Sequence, residues 1–137
     1  MKPSVNHHMK KLILISGISG LLAVALGAFG AHGLKPVLTP LQQATFETAV
    51  KYQFIHTLAI LACALAFRQS GIAAFARAAW FFAGGILLFS GSLYLISLKQ
   101  LLGIHSWSFL GPVTPVGGLL FITGWICIVT GAWKMKE

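Results

Sequence analysis

The chain has 137 residues, 57% of them hydrophobic and 9% charged, with a mean hydropathy of +0.85; this excludes an ordinary soluble domain, in which about a quarter of residues are charged. The formal net charge of +8 does not signal nucleic acid, because the ten Lys and Arg stand as ones and twos and never form a stripe with interleaved aromatics. The composition is that of a polytopic membrane protein, with the lipid bilayer as its first partner.

Charge-free gaps mark the membrane spans, since a helix needs about 20 apolar residues to cross the hydrocarbon. Residues 1–11 form a cytoplasmic N-terminal segment with Lys2, Lys10 and Lys11, and the first span covers 12–34. Lys10-Lys11 before an apolar run is also how a signal peptide begins. The run here reaches 23 residues, beyond the roughly 7–15 of a signal-peptide core, so an uncleaved helix is expected. Met9 is a second candidate start, and translation from it would leave His7 and His8 in an extension without function. Ser16, Gly20, Ala23, Gly27 and Gly30 recur at 4-3-4-3 spacing, which gives this helix a small-residue face for close packing.

Thr39-Pro40-Leu41-Gln42 reads as a capping box, with Thr as N-cap, Pro at the first helical position and Gln three residues on. A second helix from Thr39 to Phe67 would be about 40 Å long, so its span, 48–67, is preceded by a part that projects beyond the hydrocarbon. At 100° per residue, Thr45, Ala49, Tyr52, His56, Ala59 and Cys63 share a face directed at the bundle. Glu47 and Lys51 lie roughly opposite, as an i,i+4 pair suited to headgroups or water.

The third span, 78–98, carries Gly84 and Gly91 with Ala83, Ser90 and Ser97 beside them, and the fourth, 116–133, repeats Gly117, Gly124 and Gly131. Seven-residue spacing is the seam of a left-handed bundle. Thr114-Pro115 before the fourth span resembles Thr39-Pro40 before the second; this is either a parallel two-plus-two repeat or a good helix start used twice. Residues 135–137 form a cytoplasmic tail. The N-terminal segment, the Arg68–Arg77 loop and the end of the chain hold seven basic residues, against Lys35, Lys51 and Lys99 on the other side, so both termini are expected in the cytoplasm. Trp80 and Trp133 then anchor the inner boundary, and Tyr52 and Tyr94 lie towards the outer one.

Among side chains that could carry chemistry, His56 stands out, because an ionisable group inside a membrane helix is costly. Two readings are open: a hydrogen bond to Ser or Tyr on the third helix, or a ligand or proton site. Tyr52, Gln53, His56, Ser90, Ser92 and Tyr94 are expected to form an interhelical polar network in the outer half of the bilayer. His32, His105 and Glu47 fall near the outer surface without ligand spacing, so no metal is expected. Cys63 and Cys127 share a depth in the inner half but form no CxxC. The stretch GAFGAHGL lacks the ending and preceding strand of a phosphate loop. The chain has no Asp, which removes the Ser/His/Asp triad, and no catalytic residue or cofactor is expected.

GAFGAHGL at 27–34, TAVKYQFIHTLAIL at 48–61, LFSGSLYL at 88–95 and TPVGGLLFITGW at 114–125 closely resemble the YgdD-like family of small, uncharacterised bacterial membrane proteins, which has distant eukaryotic relatives. The similarity runs from about Leu12 to Lys134. The resemblance implies a multi-pass protein of the bacterial plasma membrane, the inner one in a Gram-negative organism, and supplies no mechanism. Gly27, Gly30, His32, Gly33, Tyr52, Gln53, His56, Ser90, Gly91, Ser92, Thr114, Pro115, Gly117 and Gly118 fall on its motifs, whereas Glu47 does not.

The sequence thus reads as an all-α, integral membrane four-helix bundle with glycine-seam packing at Gly20, Gly27, Gly84, Gly91, Gly117, Gly124 and Gly131. Its first functional reading is a non-enzymatic structural, partner or assembly subunit, with a homo-oligomer or a membrane protein as partner. The alternative is a small oligomeric transporter or channel with His56 as proton or solute site. A lipid or quinone enzyme ranks behind both.

Overall fold

The computed structural model describes residues 3–103 and 110–135, with side chains from His7 onward. Helix α1, Pro3–Phe29, runs on into a π-helical turn at Gly30–Leu34, and α2 covers Pro40–Ser70. The third rod consists of α3, Ala73–Gly85, a π-helical turn at Ile86–Ser90, and α4, Gly91–Leu98; α5, Leu110–Ala132, follows. Among the described residues, four stretches are long and apolar enough to cross a membrane: His7–Leu34, Pro40–Ser70, Ala73–Leu98 and Leu110–Ala132. The fold is the all-α membrane bundle that the composition implied. The helices overrun the charge-free gaps because a charge marks where hydrocarbon ends, while a helix continues wherever its backbone bonds are made.

Unlike a soluble protein, the bundle presents large apolar side chains on its surface and holds a set of polar ones inside beside its apolar core. Ile18, Leu21, Val24, Leu87 and Leu119 are exposed, whereas Ser16, Gln53, His56, Thr57, Ser90, Ser92 and Ser97 are buried. Lipid solvates apolar side chains as well as a core does, so polar groups and close backbone contacts hold such helices together. The packing is serial: α1 lies on α2, α2 on the third rod, and the third rod on α5. One core cluster joins Leu12, Ile60, Cys63, Ala79, Phe82 and Phe121, with Cys127 packed against it. A second gathers Leu34, Leu38 and Phe46 at the other end of the bundle.

The start of α2 is the capping box expected. Thr39 Oγ1 accepts from the Gln42 backbone N–H at 3.3 Å, and Gln42 Oε1 accepts from the Thr39 N–H at 2.9 Å. Gln42 also donates to Gln100 at 2.8 Å, which ties this end of α2 to the end of the third rod. At the other end, Gly71 stops the helix with φ of 69°, a left-handed conformation that glycine adopts without steric cost. Thr114-Pro115, by contrast, does not start a helix: α5 begins at Leu110 and Pro115 lies inside it. Pro115 removes one backbone bond, that to the Gly111 carbonyl, a loss that membrane helices tolerate with help from Ser and Thr. The two Thr-Pro pairs are therefore structurally different, and the local likeness between the hairpins does not extend to their helix starts.

The glycine seam is an antiparallel match of rings and glycines. A Cβ at Gly131 would meet the Phe75 ring at 3.1 Å, one at Gly124 would drive into the Phe82 ring, and one at Gly117 would strike the backbone of Phe89. The pairs step through the two rods in opposite directions by seven residues each. The fit is reciprocal, since a Cβ at Gly85 would collide with Phe121. On the other interface, Gly27 faces Val50 at 3.3 Å, Gly20 faces Thr57 at 3.5 Å and Gly30 accommodates Phe46. Gly91 corrects the expectation, having none of the described residues within 4 Å of its would-be Cβ. The seam column runs through Phe75, Phe82, Gly85, Phe89 and Ser92, so a heptad counted from Gly84 lies one residue off it. Gly84 still reaches Leu120 at 3.2 Å.

Candidate functional site

The buried face of α2 is made by Phe46, Ala49, Gln53, His56, Ile60, Cys63 and Phe67, again at alternating three- and four-residue steps. It is rotated from the face counted through Thr45 and Tyr52. Tyr52 lies at its margin, 38% exposed, while Gln53 is 4% exposed. The reason is that α1 and the third rod both pack on α2, which turns the midpoint between those two neighbours inward.

Two polar arrangements result where one network was expected. In the first, Gln53 joins three rods: its Nε2 donates to the Ser19 carbonyl at 2.9 Å and its Oε1 accepts from the Tyr94 hydroxyl at 2.7 Å. Ser19 and Thr57 hydroxyls lie 2.6 Å apart, and Ser16 donates to the Thr57 carbonyl at 3.1 Å. A double-mutant cycle between Gln53→Ala and Tyr94→Phe in detergent-resistance assays should return a coupling of about 1 kcal/mol, within the range measured for interhelical bonds in membranes. Additive effects would show that the 2.7 Å contact contributes nothing.

The second arrangement surrounds His56. Its Nδ1 lies 2.8 Å from the Tyr52 carbonyl, which requires a proton on Nδ1, and its Nε2 accepts from the Trp125 indole N–H at 3.3 Å. The imidazole stacks on Phe121 with ring centroids 3.6 Å apart and planes at 9°. Phe82 and Trp125 approach it from the side, and Tyr52 closes onto Phe89. A cleft of about 420 Å³ lies between Tyr52, His56, Phe121 and Trp125. The partner of His56 is thus the indole of α5, correcting the expected Ser or Tyr of the third helix.

The remaining candidates separate from His56. Ser92 and Thr114 hydroxyls lie 2.6 Å apart across the third rod and α5. Ser97 turns back to the carbonyls of Leu93 and Tyr94. Ser90, at the end of a π-helical turn, is fully buried, and its hydroxyl has no partner among the described residues. Glu47 accepts from Gln43 at 3.0 Å rather than from Lys51, and His32 bonds the Ala28 carbonyl at 3.0 Å. His105 lies outside the described residues. Among the described residues no three His, Cys, Asp or Glu side chains converge on one point. Ser19, Thr57, Thr114, Phe121 and Trp125 were absent from the predicted set; Phe121 shares a helical stripe with Gly117 and Gly124, which is the signal that could have found it, whereas Trp125 lies one residue, about 100°, off Gly124.

A sequence profile described as "Protein of unknown function (DUF423)" matches residues 26–118. The chain belongs to the DUF423 family. The UPF0382 membrane protein YwdK of Bacillus subtilis is 44% identical over 127 residues, covering 92% of this chain and 98% of YwdK. The UPF0382 inner membrane protein YgdD of Escherichia coli K12 is 41% identical over 126 residues, 92% of each chain. A UPF0382 membrane protein of Haemophilus influenzae is 40% identical over 128 residues, covering 93% of this chain and 97% of the relative. No solved structure matches. The DUF423 profile spans α2 and the third rod entirely and ends within α5, so it includes Gln53, His56 and Tyr94 but not Phe121 or Trp125.

Proposed function

We propose that this DUF423 protein is a non-enzymatic multi-pass protein of the bacterial plasma membrane that acts as a structural or assembly partner of another membrane chain or of its own copies. The observation that carries this reading is the state of His56, whose two ring nitrogens are both engaged, one by the Tyr52 carbonyl and one by the Trp125 indole. A general base or proton carrier needs a nitrogen within reach of its substrate, whereas this ring is held as a packing element. The name of the YgdD relative supports an inner-membrane location. The excess of basic residues at the chain ends and the Arg68–Arg77 loop supports cytoplasmic termini.

The test is native mass spectrometry of the gently solubilised protein, comparing wild type with His56→Phe, which keeps the stack on Phe121. A second copy or another protein bound equally to both is the expected result. A metal, lipid or quinone that leaves on substitution would overturn it. The cleft beside His56 favours a second reading, a small oligomeric transporter or channel, which requires pH-dependent flux in liposomes that His56→Phe abolishes.

A further inference from the structure

Away from His56, a groove of about 310 Å³ runs between α1 and α2. Gly27, Gly30, Phe46 and Val50 form its apolar part, and Glu47 and Lys51 line it from α2. Its depth comes from the glycines: Gly30 carries no Cβ where one would press on the Phe46 ring. Both charged residues are exposed, and Glu47 is the sole carboxylate side chain before the last residue of the chain. Gln43 fixes the carboxylate, its Nε2 donating to Glu47 Oε1 at 3.0 Å and to the Gly30 carbonyl at 3.1 Å. A carboxylate accepts about four hydrogen bonds, so capacity remains for a further donor.

We infer that this groove binds one phospholipid whose headgroup carries a primary ammonium beside its phosphate, of the ethanolamine class. The order of charges along α2 selects it. The helix enters the membrane from Pro40, so Glu47 lies nearer the water and Lys51 one turn, about 6 Å, nearer the hydrocarbon. An ethanolamine phospholipid has the same order: the ammonium is outermost, the phosphate lies beneath it and the acyl chains run inward. Lys51 meets the phosphate, Glu47 accepts from the ammonium, and the chains follow the trough past Phe54 and Ile55, both exposed one turn deeper. A choline headgroup has no N–H to donate, and a glycerol headgroup has no cation for Glu47. This inference is independent of the role proposed for His56.

The experiment offers the detergent-solubilised protein an equimolar mixture of ethanolamine, choline and glycerol phospholipids with identical chains, and reads bound lipid by native mass spectrometry. Wild type should retain the ethanolamine lipid about five- to tenfold over the choline lipid, the scale of one charge-assisted hydrogen bond at a half-wet site. Glu47→Gln should abolish that preference, and Lys51→Gln should reduce retention of every phospholipid. Both residues are exposed, and an unchanged melting temperature in both variants checks that the fold persists. Equal retention by wild type, a preference for the glycerol lipid, or an ethanolamine preference that survives Glu47→Gln would each overturn the inference. A second copy of the chain in the groove in place of lipid would do the same.

Discussion

Gly117→Ala is expected to destabilise the bundle by about 3 kcal/mol, the upper end of the usual range for overpacking. The added methyl would strike the backbone N and Cα of Phe89, atoms that cannot rotate aside as a ring can. Relief therefore requires α5 to move off the third rod, which also strains the Ser92–Thr114 contact one turn away. Gly91→Ala is the matched control: it is also a helical glycine, but with open space at the would-be Cβ, so its effect should stay within about 0.5 kcal/mol. Resistance to unfolding in mixed micelles of increasing denaturing-detergent fraction separates the two. Equal midpoints for both variants would mean that ring-on-glycine contact is not what holds these rods together.

His56 should respond to shape more than to charge. Replacement by Ala removes the ring stacked on Phe121, leaves a void among Phe82, Phe121 and Trp125, and deprives the Trp125 N–H of its acceptor; a loss of about 2–4 kcal/mol follows. Replacement by Phe preserves the stack and forfeits only the polar contacts, for about 1 kcal/mol. Trp125→Phe should cost no more than His56→Phe, and the two together little more than His56→Phe alone, since both delete the one hydrogen bond that joins the two residues. The thermal stability of the three variants and of the pair in detergent tests this ordering. If His56→Phe were as damaging as His56→Ala, the electrostatics of the imidazole would outweigh its packing, and the transport reading would gain.

Much of this architecture was legible in the residues. Long apolar runs bounded by single charges define rods in any bilayer, and Thr39-Pro40 with Gln42 is local chemistry that needs no tertiary context. Gly117, Gly124 and Gly131 were readable as a seam because each stands at the same phase of one uninterrupted helix. The choice of neighbours was not legible. Whether Tyr52 or Gln53 points inward depends on where α1 and the third rod sit around α2, and a shift of one residue is a turn of about 100°. The same ambiguity placed Gly91 in a seam that passes one residue beside it. The Trp125 partner of His56 was hidden because indole and imidazole are far apart in sequence and only the order of helices joins them.

The serial packing bears on how such a chain is made. Helices α1 and α2 form one hairpin, and the third rod with α5 forms another, each assembled from contacts between chain neighbours. The first hairpin can settle in the bilayer while the second is still in the ribosome. What remains is a late docking of two finished halves. The polar side chains of α2 that clasp them are Gln42, reaching Gln100, Gln53, reaching Tyr94, and His56, reaching Phe121 and Trp125. The joining step then uses three polar side chains of α2 beside its apolar contacts, so a fault there would yield an inserted but unjoined protein, exposed to membrane quality control rather than lost before insertion.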